Sequence, residues 1–156
     1  MRLRPVLAAL FAASTLALGS CGQDPVLYVD QAWVRLPAVP DAPGAAYFTV
    51  HGGPNADQLI RVTSAVAIRT EMHDVVTENG VTRMVPLESV DIPALGKVEF
   101  KQGSKHVMMF DLRRNLKAGD TMRLDFIFAS GEQIYVDAPM VAAGGDGSTE
   151  KHDKGH

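Results

Sequence analysis

Two histidines and two methionines stand at a spacing that could serve one metal ion. They run His73, ten residues, Met84, twenty-one residues, then His106-Val107-Met108. Thioether sulfur is a poor ligand for Zn, Mg or Ca and a good one for Cu(I). The imidazoles supply basicity and must be neutral to bind. Thioethers have no proton to lose and form no disulfide, although they can oxidise to sulfoxide. Four neutral ligands would leave the site with the single positive charge of the ion.

Local structure bears on whether the four can meet. On a strand, residues i and i+2 face the same way, so His106 and Met108 project together. Asn79-Gly80 is the strongest hairpin signal in the chain. A two-residue turn there sets Glu78 opposite Val81, Val75 opposite Met84 and His73 opposite Pro86. Met84 then lies diagonally from His73 on one face. The meeting of this hairpin with the His106 strand is an expectation for the structure to test.

The same residues also have a plain packing reading. Methionine in a strand commonly fills a core, and Met108 shares a face with Phe110 and Leu112, which reads as a face running inward. Clustering weighs against packing. Apart from Met1, four of the six methionines (Met72, Met84, Met108, Met109) fall between positions 72 and 109. So do two of the three histidines outside the C-terminal tail. The residues alone leave both readings open. Met72 competes with His73, since adjacent residues face opposite ways; His73 is preferred. Met109 reads as packing, Met122 and Met140 as core or edge, and His51 as a solvated turn residue.

The elements that must position these groups read as strands. Apolar runs occupy Val26–Val29, Ala32–Leu36, Ala45–Val50, Gln58–Val66 and Ile68–Val75, with further strands at Val81–Val85, Lys97–Lys101, His106–Leu112, Met122–Phe128 and Gln133–Ala138. Pro37 to Gly44 form a loop. Pro86 ends its strand or marks a sheet edge. About nine short strands without a helical period indicate an all-β Greek-key sandwich. No Gly-x-Ser-x-Gly, His-Glu-x-x-His, Cys-x-x-Cys or phosphate-cradling glycine motif occurs, so the expectation is a carrier and not an enzyme.

The chain begins with an export signal. Arg2 and Arg4 precede an apolar stretch from Pro5 to Leu18 and the small residues Gly19-Ser20. That stretch is short of the roughly 20 residues a membrane span takes. Cys21, the single cysteine, follows Leu18-Gly19-Ser20, which resembles a bacterial lipobox; lipidation would make Cys21 the anchored N-terminus of a periplasmic lipoprotein. The expected organisation is signal peptide 1–20, tether 21–26, copper-binding domain 27–141 and flexible tail 142–156. Without Arg2 and Arg4, 13 Lys+Arg oppose 18 Asp+Glu, a balance of −5. No basic stripe remains, so nucleic acid is not an expected partner.

The four-residue spacing resembles the motif of the periplasmic copper chaperones called PCuAC: His, ten residues, Met, twenty-one residues, His-x-Met. His73, Met84, His106 and Met108 fit it without a gap. The resemblance runs from about Tyr28 to Ala138. Ala32-Trp33-Val34-Arg35, Ala45-Ala46-Tyr47, Glu78-Asn79-Gly80-Val81 and Leu116-Lys117-Ala118-Gly119-Asp120 support it. It implies a cupredoxin-like β-sandwich or barrel and a Cu(I) site at the four positions. It also implies copper delivery toward cytochrome c oxidase assembly, to an oxidase subunit or an assembly factor. Family members often carry Gly-Gly shortly before the second His and Gly three residues after the second Met. Here Gly103 is kept, and Ser104 and Asp111 stand at the other two places.

His152 and His156, with Glu150 and Asp153, offer nitrogen and oxygen ligands that suit Cu(II) better than Cu(I). The plain alternative is a solubilising tail. Other uses of the domain are copper sequestration or resistance, and a metal-free β-sandwich interaction module. A blue-copper electron carrier needs a Cys ligand, and Cys21 lies in the tether.

Overall fold

The computed structural model describes residues 25–147. The expected signal peptide, Cys21, His152 and His156 lie outside the described residues. Among those described, ten strands form two facing layers. The first layer contains β1 (Tyr28–Arg35), β2 (Gly44–His51), β4 (Ala67–Glu78), β5 (Val81–Leu87), β7 (Lys97–Phe100) and β8 (His106–Leu112). The second contains β3 (Asp57–Thr63), β6 (Val90–Ile92), β9 (Thr121–Phe128) and β10 (Gln133–Val141). The path runs β5-β4-β8-β2-β1-β10-β9-β3-β6, with β7 pairing the second half of β2. A short parallel pairing of β1 with β10, Val34 with Met140, joins the layers. This is the all-β sandwich the sequence pattern predicts.

Alternation builds the core. In β9 every second side chain, Met122, Leu124, Phe126 and Phe128, is buried. Facing them are Val34, Phe48, Val50, Met72, Val107 and Met109 from the first layer. Phe48 stacks on Phe100 at 4.2 Å and meets Phe126 edge-on at 4.7 Å, which places aromatic contact across the sandwich. Met122 and Met140 are core, as the sequence suggests.

Three departures from the sequence reading have local causes. The two N-terminal runs are one strand, because an irregularity between Asp30 and Trp33, with Gln31 at φ 52°, absorbs the extra residue. β6 is a three-residue strand with too few positions to show a pattern. His51 is not a solvated turn residue: it ends β2, stacks on Tyr28 at 4.2 Å and contacts Asp30 at 3.0 Å.

The Asn79-Gly80 turn has positive φ at both residues, 52° and 77°, the backbone of a type I′ hairpin. Its register is the expected one, with Glu78 opposite Val81, Val75 opposite Met84 and His73 opposite Pro86. Hydrogen-bonded and non-hydrogen-bonded pairs alternate away from such a turn. Pro86 falls on a non-hydrogen-bonded pair at the sheet edge, where a missing N–H costs the ladder nothing.

Candidate metal site

Strand pairing brings the four sequence-selected residues to one face. β4 and β8 are antiparallel neighbours, with His73 opposite His106 and Glu71 opposite Met108. Met84 on β5 lies opposite Val75, two residues along from His73. Residues opposite one another share a face, so His73, Met84, His106 and Met108 all project from the same side. The other side carries Met72, Val107 and Met109 into the core. This corrects the inward reading of the Met108 face: Met108, Phe110 and Leu112 are only partly buried, whereas Val107 and Met109 are fully buried. Met72 is core and His73 is the residue on the site face.

The imidazole nitrogens are arranged by their neighbours. His106 Nδ1 lies 2.8 Å from the Ser104 carbonyl. A carbonyl only accepts, so Nδ1–H donates and a neutral ring keeps its lone pair on Nε2. That nitrogen sits 3.3 Å from Met84 Sδ. In the neutral ring two lone-pair atoms therefore face each other with no proton between them. About a tetrahedral first-row ion with nitrogen and sulfur ligands, the N···S edge is about 3.5 Å. The two atoms already stand near that separation.

His73 is anchored likewise by a different group. Its Nε2 lies 3.0 Å from Glu71 Oε2, and its Nδ1 is buried with no hydrogen-bond partner. The rings of His73 and His106 are 5.9 Å apart. Glu71 is held on its other oxygen by Arg69, whose guanidinium lies over the Phe110 ring at 3.8 Å. The hydrogen bond from His73 is the main influence holding the Glu71 carboxyl below the usual carboxylate range, and with the charge and hydrogen bond of Arg69 it outweighs the opposing desolvation. The carboxylate is an anion beside four neutral candidate ligands.

Met84, His106 and Met108 line an open cleft of about 520 Å³ with Val75, Tyr47, Arg35 and Gln102. The loop after β1 and Ala143-Gly144 after β10 form its rim. Arg35 donates to the Tyr47 hydroxyl at 2.6 Å and to Gln102 at 2.8 Å, which ties one wall together. Burial pushes the Tyr47 hydroxyl above its ordinary pKa, against the opposing pull of Arg35. Tyr47 also packs on Trp33 at 4.4 Å. Exposure across the four residues is uneven: His106 is 8% exposed and Met84 is 54% exposed.

Among the described residues, no three His, Cys, Asp or Glu side chains are grouped to hold a metal ion. A four-donor set here needs the two sulfurs, and sulfur with imidazole suits a soft ion such as Cu(I). Sequence reasoning missed Glu71 and Arg69, and it named Ser104 only as a departure from the family pattern. Glu71 had a legible signal, since it sits at i−2 from His73 and must share its strand face. The Ser104 contribution is a backbone carbonyl and leaves no side-chain signature.

Three comparisons bear on these features. The family model described as "Putative lipoprotein LpqE-like" matches residues 27–140. The Rickettsia prowazekii protein RP573 is 35% identical over 101 residues, taking in 62% of this chain and 54% of RP573. The chain thus spans about half the length of that relative. Among solved structures, the copper-bound PCuAC domain from PmoF2 matches with a TM-score of 0.63 at 20% identity, covering 78% of this chain and 97% of that domain. The solution structure of CuI-DR1885 from Deinococcus radiodurans matches with a TM-score of 0.53 at 23% identity, covering 80% and 83%. The resemblance to PCuAC read from the sequence is borne out in the fold, which is that of these cupredoxin-like β-sandwich domains.

Proposed function

We propose that this chain, which belongs to the LpqE-like family, is an exported Cu(I) metallochaperone. In this reading His73, Met84, His106 and Met108 hold the ion as cargo. The observation that carries it is the approach of His106 Nε2 to Met84 Sδ at 3.3 Å, with Nδ1 of the same ring committed to the Ser104 carbonyl. Two facing lone pairs repel when the site is empty of charge, and a cation between them turns that repulsion into two bonds. The fold shared with the copper-bound PmoF2 domain and CuI-DR1885 supports the choice of metal.

The uneven exposure of the ligands supports carriage over sequestration. His106 is anchored and buried, whereas Met84 lies on an edge strand facing solvent. An incoming ligand from an acceptor can replace the Met84 sulfur while the imidazoles keep the ion. The exchange breaks the Cu–S bond to Met84 and forms one to the incoming ligand, and no covalent bond of the protein changes, so the function needs no catalytic residue. The acceptor we infer is a protein on the route to cytochrome c oxidase, either an oxidase subunit or an assembly factor. The place of action is the periplasm, with Cys21 lipidated and anchoring the chain to the membrane. His152 and His156 of the tail form a secondary site suited to Cu(II).

The test is an anaerobic Cu(I) titration against a competing chelator. One tight site is expected, and His106→Ala and Met108→Ala should each weaken it markedly. Unchanged affinity in both variants would sink the assignment. Incubating the loaded protein with candidate acceptor domains tests delivery, which fails if no copper leaves.

A further inference from the structure

The two imidazoles are anchored through opposite nitrogens. His106 donates from Nδ1 to a backbone carbonyl, and His73 donates from Nε2 to the Glu71 carboxylate. The lone pair of a neutral ring is then on Nε2 of His106 and on Nδ1 of His73. The His73 Nδ1 atom is buried and has no hydrogen-bond partner. A buried nitrogen in that condition carries a desolvation cost that a bound ion would relieve.

Resting on the copper reading above, we propose that Glu71 is a positioning residue that selects which nitrogen His73 presents, so that His73 ligates through Nδ1 and His106 through Nε2. Three contacts converge on this role. Glu71 Oε2 accepts from His73 at 3.0 Å. Glu71 Oε1 is held by Arg69, and Arg69 is fixed in turn over Phe110 at 3.8 Å. The carboxylate is therefore braced on both oxygens and cannot swing away without breaking an ion pair. Strand register places it where it must be, because Glu71 and His73 are i and i+2 on one face. A carboxylate behind a ligating imidazole raises the basicity of the ring and fixes its orientation. Its negative charge also offsets the single positive charge of Cu(I) held by four neutral ligands.

Imidazole nitrogen NMR of the mature chain without metal tests this directly. At about pH 8, above the ordinary imidazole range near 6.5, His73 should carry its proton on Nε2 and His106 on Nδ1. The His73 ring proton should exchange slowly with water in the wild type. It should exchange fast in Glu71→Ala and stay slow in Glu71→Gln, whose amide oxygen still accepts. On loading with Cu(I), the coordination shift should fall on Nδ1 of His73, and Glu71→Ala should bind the ion about tenfold more weakly. A His73 proton on Nδ1, a ring proton indifferent to Glu71→Ala, or coordination through Nε2 of His73 would overturn the proposal. Failure of the wild type to take up Cu(I) would instead sink the chaperone reading, and the metal-free measurement would still decide the role of Glu71.

Discussion

Replacing Met84 by Leu separates the proposed ligand role from folding. The side chain is 54% exposed on an edge strand. Leu keeps nearly the same volume and apolar character, so stability without metal should change by less than about 0.5 kcal/mol. What is lost is the sulfur 3.3 Å from His106 Nε2. Removing one of four donors should weaken Cu(I) binding about 10- to 100-fold, or about 1.4–2.8 kcal/mol. At saturating Cu(I) the folded state loses that same free energy of ligand stabilisation. With about 4 °C per kcal/mol for a domain of this size, the copper-induced rise in Tm should shrink by about 6–11 °C. The assay is anaerobic thermal unfolding of wild type and variant, each with and without Cu(I). Met109→Leu is the control: Met109 is fully buried on the opposite face. It should lower Tm without metal through repacking, about 1 kcal/mol, and leave the copper-induced rise intact. A large drop in the metal-free Tm of Met84→Leu, or an unchanged copper-induced rise, would rule out Met84 as a copper ligand that is dispensable for folding.

Two further outcomes test the frame around the site. Gly52→Ala should destabilise the protein by more than about 2 kcal/mol in urea unfolding, because an added Cβ would lie 2.1 Å from the Pro93 carbonyl oxygen, a backbone atom that cannot step aside. Asp57 accepts from the Ser130 hydroxyl at 2.5 Å and from the amides of Gln58 and Ser130. Burial pushes its carboxyl up, but these hydrogen bonds outweigh it and the net direction is down. A depressed folded pKa contributes stability above the unfolded value near 3.9 and loses it as pH falls through the folded value. Asp57→Ala should therefore cost about 1 kcal/mol at pH 7, with the gap from wild type closing below about pH 4. A gap independent of pH in denaturant titrations would contradict the assignment.

The hairpin was the most legible part of the sequence. Asn79-Gly80 demanded positive φ at both positions, and that demand set the register of His73 and Met84 without reference to the rest of the chain. The shared face of His106 and Met108 followed from strand period alone. The pairing of His73 with His106 was not legible, because β4 and β8 are distant in sequence and their adjacency depends on how the whole layer assembles. The facing of β8 is ambiguous in the sequence for a related reason. Val107 and Met109 are as apolar as Met108, Phe110 and Leu112, so alternation could not say which set was core. Tertiary packing decides it, by placing β9 behind Val107 and Met109 and an open cleft before Met108. The pairing of His51 with Asp30 and Tyr28 is not legible in the sequence because the partners sit on a different strand.

X-ray absorption of the protein loaded anaerobically with one equivalent of Cu(I) counts the sulfur and nitrogen ligands at once. The expected copper shell has two sulfur and two nitrogen neighbours, with the sulfur count falling to one in Met84→Leu and in Met108→Leu. A shell with no sulfur, or a sulfur count that neither substitution lowers, would contradict it.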